Sequence, residues 1–330
     1  VRFDGTGRGP RRLFSCHMDT IPNAVGCTPQ RQDDRIVNTA AGRALGGDNR
    51  AGCAVLLEVA RVLLAWQRDH VPTTLAFLIQ EEVGLVGARG LDLGALGPHL
   101  PAMGYNFDGS RADRVITSVI GTERFTIDLT GIEAHAGAHP ENGVSCGVVF
   151  ARALHQLAEA GWHGAIEQPD GVGSANLGTV HGGQGSNVVM PRMQVLAEAR
   201  SHDPGFRRAI IDAWQSAFRL AADETRNAAG DRGAVTFGPG PTYEAFALAD
   251  DEPALQLALR AAAALGIDIQ CESNNGGMDA NWLTAHGIPT ITIGCGQRQV
   301  HTPEEWVDLT DFSRACEFAR ALAEAPDVID

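Results

Sequence analysis

The sequence predicts an α/β fold, a mostly parallel sheet flanked by helices, with a small ferredoxin-like α+β domain inserted into it. Three observations point there. Short apolar runs alternate with helical patterns at both ends of the chain, the middle instead reads as βαββαβ, and 330 residues at 44% hydrophobic content can bury a core in each of two domains.

Taken in order, the runs at 13–16, 75–79, 103–107 and 290–293 are short, apolar and bounded by polar or glycine residues, as buried parallel strands are. Residues 51–66 (AGCAVLLEVARVLLAW) and 253–265 carry helical periodicity. In the middle, 124–130 (RFTIDLT) alternates as a half-buried strand, and a helix is expected over 142–160. Strands at 175–180 and 187–198, a helix over 203–226 and a strand at 234–237 complete the set. The expected division is one α/β domain of residues 1–120 and 240–330, with the insertion at 121–239.

Composition excludes several classes of function. Lys and Arg number 26 against 40 Asp and Glu, and a net charge of -14 disfavours nucleic acid and anionic membrane as partners. No apolar run is long enough for a membrane span, and the opening VRFDGTGRGPRRLF lacks the apolar core of a signal peptide. Seven scattered cysteines without a CxxC pair read as buried thiols of a reducing compartment, and so of the cytoplasm.

Ligand-type residues follow the expected strands, the edge at which parallel sheets form sites. In His17-Met18-Asp19 the two polar side chains point the same way along extended chain, so Asp19 can back a metal-binding His17. Asp48 in LGGDNRAG can bridge two cations or simply cap the helix that follows. Glu81 and Glu82 are adjacent carboxylates at a strand end, tolerable together beside positive charge. Glu82 would then bind metal while Glu81 takes a proton from a metal-bound water, although a solvated acidic turn also explains them. Asp108 in YNFDG and His301 in GQRQVHTPEEW read singly as a turn residue and a surface histidine. Together these five positions, His17, Asp48, Glu82, Asp108 and His301, supply N and O ligands for two divalent cations.

The segments FSCHMDT, LGGDNRAG, LIQEEVGLVGARGL, NFDG, GIEAHAGAHPENGVS, GGQGSNVVMPR, AEARS, NNGGMDANWLTAHGIPT and VHTPEEW occur in that order over nearly the whole chain. In them the sequence resembles the peptidase T-like branch of the co-catalytic zinc metallopeptidase superfamily, which also holds aminoacylases and glutamate carboxypeptidases. The resemblance implies one zinc on His17 and Asp108, a second on Glu82 and His301, and Asp48 bridging them. It further implies that Glu81 is the general base, that Asp19 orients His17, and that His135 steadies an oxyanion, often across a dimer. Asn187 and Arg200 match positions that face substrate, and Gly276 and Gly277 match backbone that approaches it, though a tight turn accounts for the glycines equally well.

The resemblance departs in two places. Only 16 residues precede His17, where the family has several tens including a strand and a helix, so either the sheet edge is reduced or the numbered chain is a fragment. Asn49 stands where many relatives have Asp or Gly, at a position that is not a ligand. The expectation is hydrolysis of an amide bond in short peptides, as an aminopeptidase or tripeptidase, with two divalent ions, zinc first and cobalt or manganese also suited. The alternatives are an N-acyl or N-carbamoyl amino acid amidohydrolase, acting on acyl amino acids, and a metal-binding protein without turnover. The inserted domain is expected to act as lid and as the contact of a homodimer.

Overall fold

Arg12–His17 is buried at every position, and its side chains alternate between two cores. Phe14 and Cys16 join a cluster with Val55, Val59, Leu255 and Phe318, whereas Leu13 packs with Leu78, Leu283 and Ile288. A strand apolar on both faces belongs in the middle of a layered α/β unit. The computed structural model describes residues 1–7, 9–65 and 69–324; Trp66, the last residue of the first predicted helix, lies outside them.

The chain divides into two compact units, Val1–Val119 with Phe246–Asp330, and Ile120–Ala245. In the first, the sheet runs Arg2–Phe3, Thr73–Leu78, Arg12–His17, Met103–Phe107, Thr290–Ile293, Arg114–Val119 and Phe246–Ala247, with Gln270–Asn274 also paired to Arg114–Val119. Arg12–His17 lies parallel to both Thr73–Leu78 and Met103–Phe107, and Thr290–Ile293 lies parallel to Met103–Phe107. The sheet is mixed beyond this centre, because Arg2–Phe3 and Phe246–Ala247 pair antiparallel at the margins and Arg114–Val119 runs antiparallel to Thr290–Ile293.

Helix Gly47–Ala65 buries Ala51, Val55, Leu56, Val59 and Leu63 along one stripe, each fully buried Val or Leu contributing roughly 2 kcal/mol. Helices Pro253–Ala264 and Leu309–Glu324 complete that core through Leu257, Ala261, Phe318 and Leu322. A four-stranded antiparallel sheet of Gln297–Arg298, Trp306–Asp308, Arg35–Asn38 and Pro29–Gln32 was not anticipated from sequence. Its outer strand is exposed at all four positions, so it carries no apolar signal.

The second unit is a five-stranded antiparallel sheet in the order Ala234–Tyr243, Gly121–Thr130, Arg192–Ser201, Gly171–Gly182 and Gly164–Gln168. Helices Cys146–Glu159 and Pro204–Glu224 share its core, where Trp214, Phe218, Val149 and Leu157 meet Phe125, Ile127 and Val195. Removing Gly164–Gln168 leaves the βαββαβ order read from sequence. That extra edge strand escaped the reading because it is short and only its Ile166 is buried. Helix Pro204–Glu224 starts where Asp203 accepts the N–H groups of Gly205 and Phe206 and proline fills the first turn. Among the described residues no helix is long and apolar enough to cross a membrane.

Candidate metal centre

Parallel strands deliver their C-terminal ends to one edge, and the chemistry of this chain collects there. His17 is the last residue of its strand, and the flanking strands Thr73–Leu78 and Met103–Phe107 end just before Glu81–Glu82 and at Asp108. His301 arrives on the loop after Gln297–Arg298. Gln80 and His301 hold left-handed φ values of 57° and 65°, a strained conformation for residues with a Cβ that aims Glu81 and the His301 ring.

Asp48 is brought in by the start of helix Gly47–Ala65. A Cβ at Gly52 would stand 2.2 Å from the Phe107 carbonyl oxygen, so glycine allows the helix to lie against the strand end preceding Asp108. The sequence left Asp48 open between cap and ligand. In the structure Asn49 takes the cap: its Oδ1 accepts the Gly52 N–H at 2.9 Å, and its Nδ2 donates to the Phe107 carbonyl at 2.8 Å. The Asp48 carboxylate is thereby left for the site; the Asp48–Asn49 peptide is cis.

Two groups of ligand atoms result, His17, Asp48 and Asp108, and Asp48, Glu82 and His301, each within 4.8 Å of one another. His17 Nε2 lies 3.1 Å from Asp48 Oδ1 and 3.6 Å from Asp108 Oδ2. His301 Nε2 lies 3.2 Å from Asp48 Oδ2 and 2.9 Å from Glu82 Oε2. The two oxygens of Asp48 therefore face different histidines. Glu81 Oε2 is 4.0 Å from His17 Nε2 and belongs to neither group.

Asp19 meets His17 with both its backbone and its carboxylate. The nearer acceptor to His17 Nδ1 is the Asp19 backbone carbonyl at 3.0 Å, with the carboxylate at 3.7 Å. Its carboxylate oxygens also accept the N–H groups of Glu81 and Glu82 at 3.1 and 3.2 Å, setting the pair in place. Sequence reasoning passed over three residues near the centre, two of which support it through hydrogen bonds. Glu305, 2% exposed, accepts the N–H groups of Gly46 and Asp48. Gln297 links Asn49 Oδ1 to the N–H of Gly109, next to Asp108. Asp279 is 1% exposed with neither carboxylate oxygen hydrogen-bonded. The sequence signal available for it was an acid between Met278 and Ala280 in GGMDANW.

Crowding of carboxylates dominates the electrostatics. Burial, then the Asp108 charge, pushes Glu81 up to about 10, and burial with Asp48 pushes Glu82 up to about 7. Burial also lifts Asp279 to about 7 against the pull of His17. Burial would depress His17, but hydrogen bonds to Asp108 and Asp48 outweigh it and hold the imidazolium up. His301 rises to about 9, chiefly through its hydrogen bond to Asp48. Burial works against the Asp48 charge, yet the two histidines hold its carboxyl down at about 2. Four carboxylates thus crowd around two histidines, a cluster that divalent cations would balance, and its N and O donor set suits zinc, cobalt or manganese.

A cavity of about 460 Å³ opens over the centre, lined by Asp48, Glu81, Glu82, Asp108, Gly276 and Gly277 among others. His135, Asn187 and Arg200 belong to the other unit. There His135 Nδ1 accepts the N–H groups of Gly137 and Ala138 at 3.2 and 3.1 Å, so the ring proton resides on Nε2. The N–H of Ala136 donates to the Asn187 carbonyl, which holds the loops of His135 and Asn187 side by side. Arg200 turns its guanidinium onto Glu198, at 2.9 and 3.3 Å.

A sequence profile described as peptidase family M20/M25/M40 matches residues 13–325. The chain is 29% identical to the uncharacterized protein YqjE of Bacillus subtilis over 321 residues, 97% of this chain and 82% of that protein. Its fold is similar to that of aminopeptidase PepT from Bacillus cereus, with TM-score 0.81 and 29% identity over 98% of this chain and 83% of that one. A tripeptidase from Staphylococcus aureus superposes with TM-score 0.85 and 26% identity, covering 98% of this chain and 82% of that one.

Proposed function

The chain belongs to peptidase family M20/M25/M40, and from that premise we propose that it is a two-metal aminopeptidase cleaving short peptides, tripeptides first. One observation carries the reading: the Asp48 oxygens face two separate sets of N and O donors, as a carboxylate shared by two cations must. His17 and Asp108 would hold one ion, Glu82 and His301 the other, and zinc fits the donor set. When bound, the ions supply Lewis acidity toward water and the scissile carbonyl, and the positive charge that the carboxylate cluster lacks.

The protein's own part is proton handling and positioning. Glu81 stands beside the centre and outside both ligand groups, free to take the proton of the attacking water and pass it to the leaving amine. Asp19 fixes Glu81 and Glu82 through their backbone N–H groups. His135, with Nε2 as its donor, would serve the tetrahedral oxyanion, the inserted unit acting as lid and dimer contact. Asn187 and Arg200 would meet the substrate beyond the scissile bond, Arg200 by exchanging Glu198 for a substrate carboxylate.

The test is hydrolysis of di- and tripeptides and N-acyl amino acids by protein stripped of metal and then restored with zinc, cobalt or manganese. Metal-dependent cleavage of tripeptides from the free amino end supports the reading. Exclusive cleavage of acyl amino acids replaces it with an amidohydrolase, and two bound metals without turnover on any substrate refutes it.

A further inference from the structure

Strand Arg12–His17 and helix Gly47–Ala65 bring two thiols together beside the metal centre. Cys16 Sγ and Cys53 Sγ are 3.6 Å apart, each on a regular element of the same unit. Cys16 is fully buried, whereas Cys53 is partly exposed. The pair touches the site through the backbone: Cys16 immediately precedes His17, and the Cys53 thiol donates to the His17 carbonyl oxygen at 3.3 Å. Among the described residues, neither group of candidate metal ligands contains a cysteine, so the thiols are not part of the centre itself.

A disulfide requires its sulfur atoms at about 2.05 Å, so closing this pair takes an approach of about 1.5 Å. Side-chain rotation with a small shift of one element would have to supply that. We propose that Cys16 and Cys53 form an oxidative modification site, closed to a disulfide by a peroxide-class oxidant that enters at Cys53. In the first step the Cys53 sulfur attacks one peroxide oxygen. The O–O bond breaks, a sulfenic acid forms, and the other oxygen leaves as water with the thiol proton. In the second step the Cys16 sulfur attacks Cys53 Sγ. The S–S bond forms, the S–OH bond breaks, and hydroxide leaves as water with the Cys16 proton. Together the two sulfurs lose two electrons and the peroxide gains them. A buried second thiol in contact with the first gives this step a strong advantage over further oxidation.

Closure removes the S–H that holds the His17 carbonyl and draws the strand end bearing His17 toward the helix. Loosening the support of a metal ligand typically costs 10- to 100-fold in metal affinity or rate, which sets the effect expected of the oxidised protein. The consequence for the metal rests on the proposed function; the closure rests on thiol geometry alone.

The experiment treats metal-loaded protein with a small excess of hydrogen peroxide, alkylates it under denaturing conditions, and maps the peptides by mass. The expected product is a peptide pair joined through Cys16 and Cys53, lighter by two hydrogens and separated by a thiol reductant. Cys53→Ser should abolish it, and Cys16→Ser should leave a sulfenic acid at Cys53 that dimedone traps. Exposed Cys271 serves as the internal control. If Cys271 is oxidised while Cys16 and Cys53 both remain alkylatable, the site does not exist. A cross-link that leaves metal content and peptide turnover unchanged overturns the coupling to His17. Because the mass readout needs no substrate, failure of the peptidase reading would be seen separately.

Discussion

Glu305 reaches across 257 positions of sequence to accept the backbone N–H of Asp48 at 2.9 Å, while its other oxygen takes the N–H of Gly46 at 2.6 Å. The Asp48 backbone is therefore held by a second carboxylate, which belongs to neither group of candidate ligands among the described residues. Glu305→Ala leaves two buried donors unpaired, each costing about 1–3 kcal/mol, and frees the Asp48 backbone. We expect a lower unfolding temperature and metal affinity weakened by about 10- to 100-fold. Competition with a metal chelator measures it; wild-type affinity in a folded variant would show that Asp48 needs no such support.

Glu81 and Asp48 should separate chemistry from metal binding. Glu81→Gln removes the proton acceptor but no ligand, so both metals stay while kcat falls by about 10²- to 10⁴-fold. Asp48→Ala removes the one side chain common to both ligand groups and should lose metal as well as turnover. Metal analysis beside kinetics distinguishes the two, and a fully active Glu81→Gln would end the general-base assignment.

Asp19, expected as the carboxylate behind His17, has that carboxylate 3.7 Å from His17 Nδ1 and makes closer contacts besides. Its carboxylate grips the N–H groups of Glu81 and Glu82, and its carbonyl meets His17. Asp19→Ala keeps the carbonyl, so His17 should stay oriented while Glu81 loses its fixed position. The expected signature is a fall in kcat that exceeds any loss of metal. Loss of metal with unchanged kcat in the loaded fraction would restore the histidine-orienting role.

His135 accepts two backbone N–H groups at Nδ1, which leaves Nε2 as the donor. His135→Ala should lower kcat by about 10²- to 10³-fold, the usual loss on removing an oxyanion donor, with little change in metal content. An unchanged rate would remove His135 from the mechanism and leave the metal centre standing.

The central strands and long helices were legible because their apolar residues repeat at the period of the element, as in Phe14 and Cys16 or Val55 and Val59. The strand ends then placed His17, Glu82 and Asp108 on one edge. Four features had no local signal. Gly164–Gln168 and Pro29–Gln32 are short, exposed edge strands whose only evidence is their pairing. Asn49, which looked like a mere departure from the family pattern, takes the helix cap that would otherwise have competed for Asp48. Glu305 lay unread in VHTPEEW because its partners are backbone groups far away in sequence.

Stability against pH should report the charge deficit of the metal-free protein. Glu81 is raised to about 10, Glu82 to about 7 and His301 to about 9, so the folded chain keeps protons that the unfolded chain has released. For each group the stabilisation is complete below its ordinary value, 4.5 for the glutamates and 6.5 for the histidine, and is lost as pH climbs through the raised one. Asp48 behaves oppositely: held near 2 against an ordinary 3.8, it stabilises above 3.8 and fails only in strong acid. Metal-stripped protein should therefore unfold at progressively lower temperature between about pH 6 and about pH 9, where metal-loaded protein, with cations in place of protons, holds steady. The gap between the two melting curves should widen with pH. A gap that narrows over that range would mean that protons were never standing in for metal at this centre.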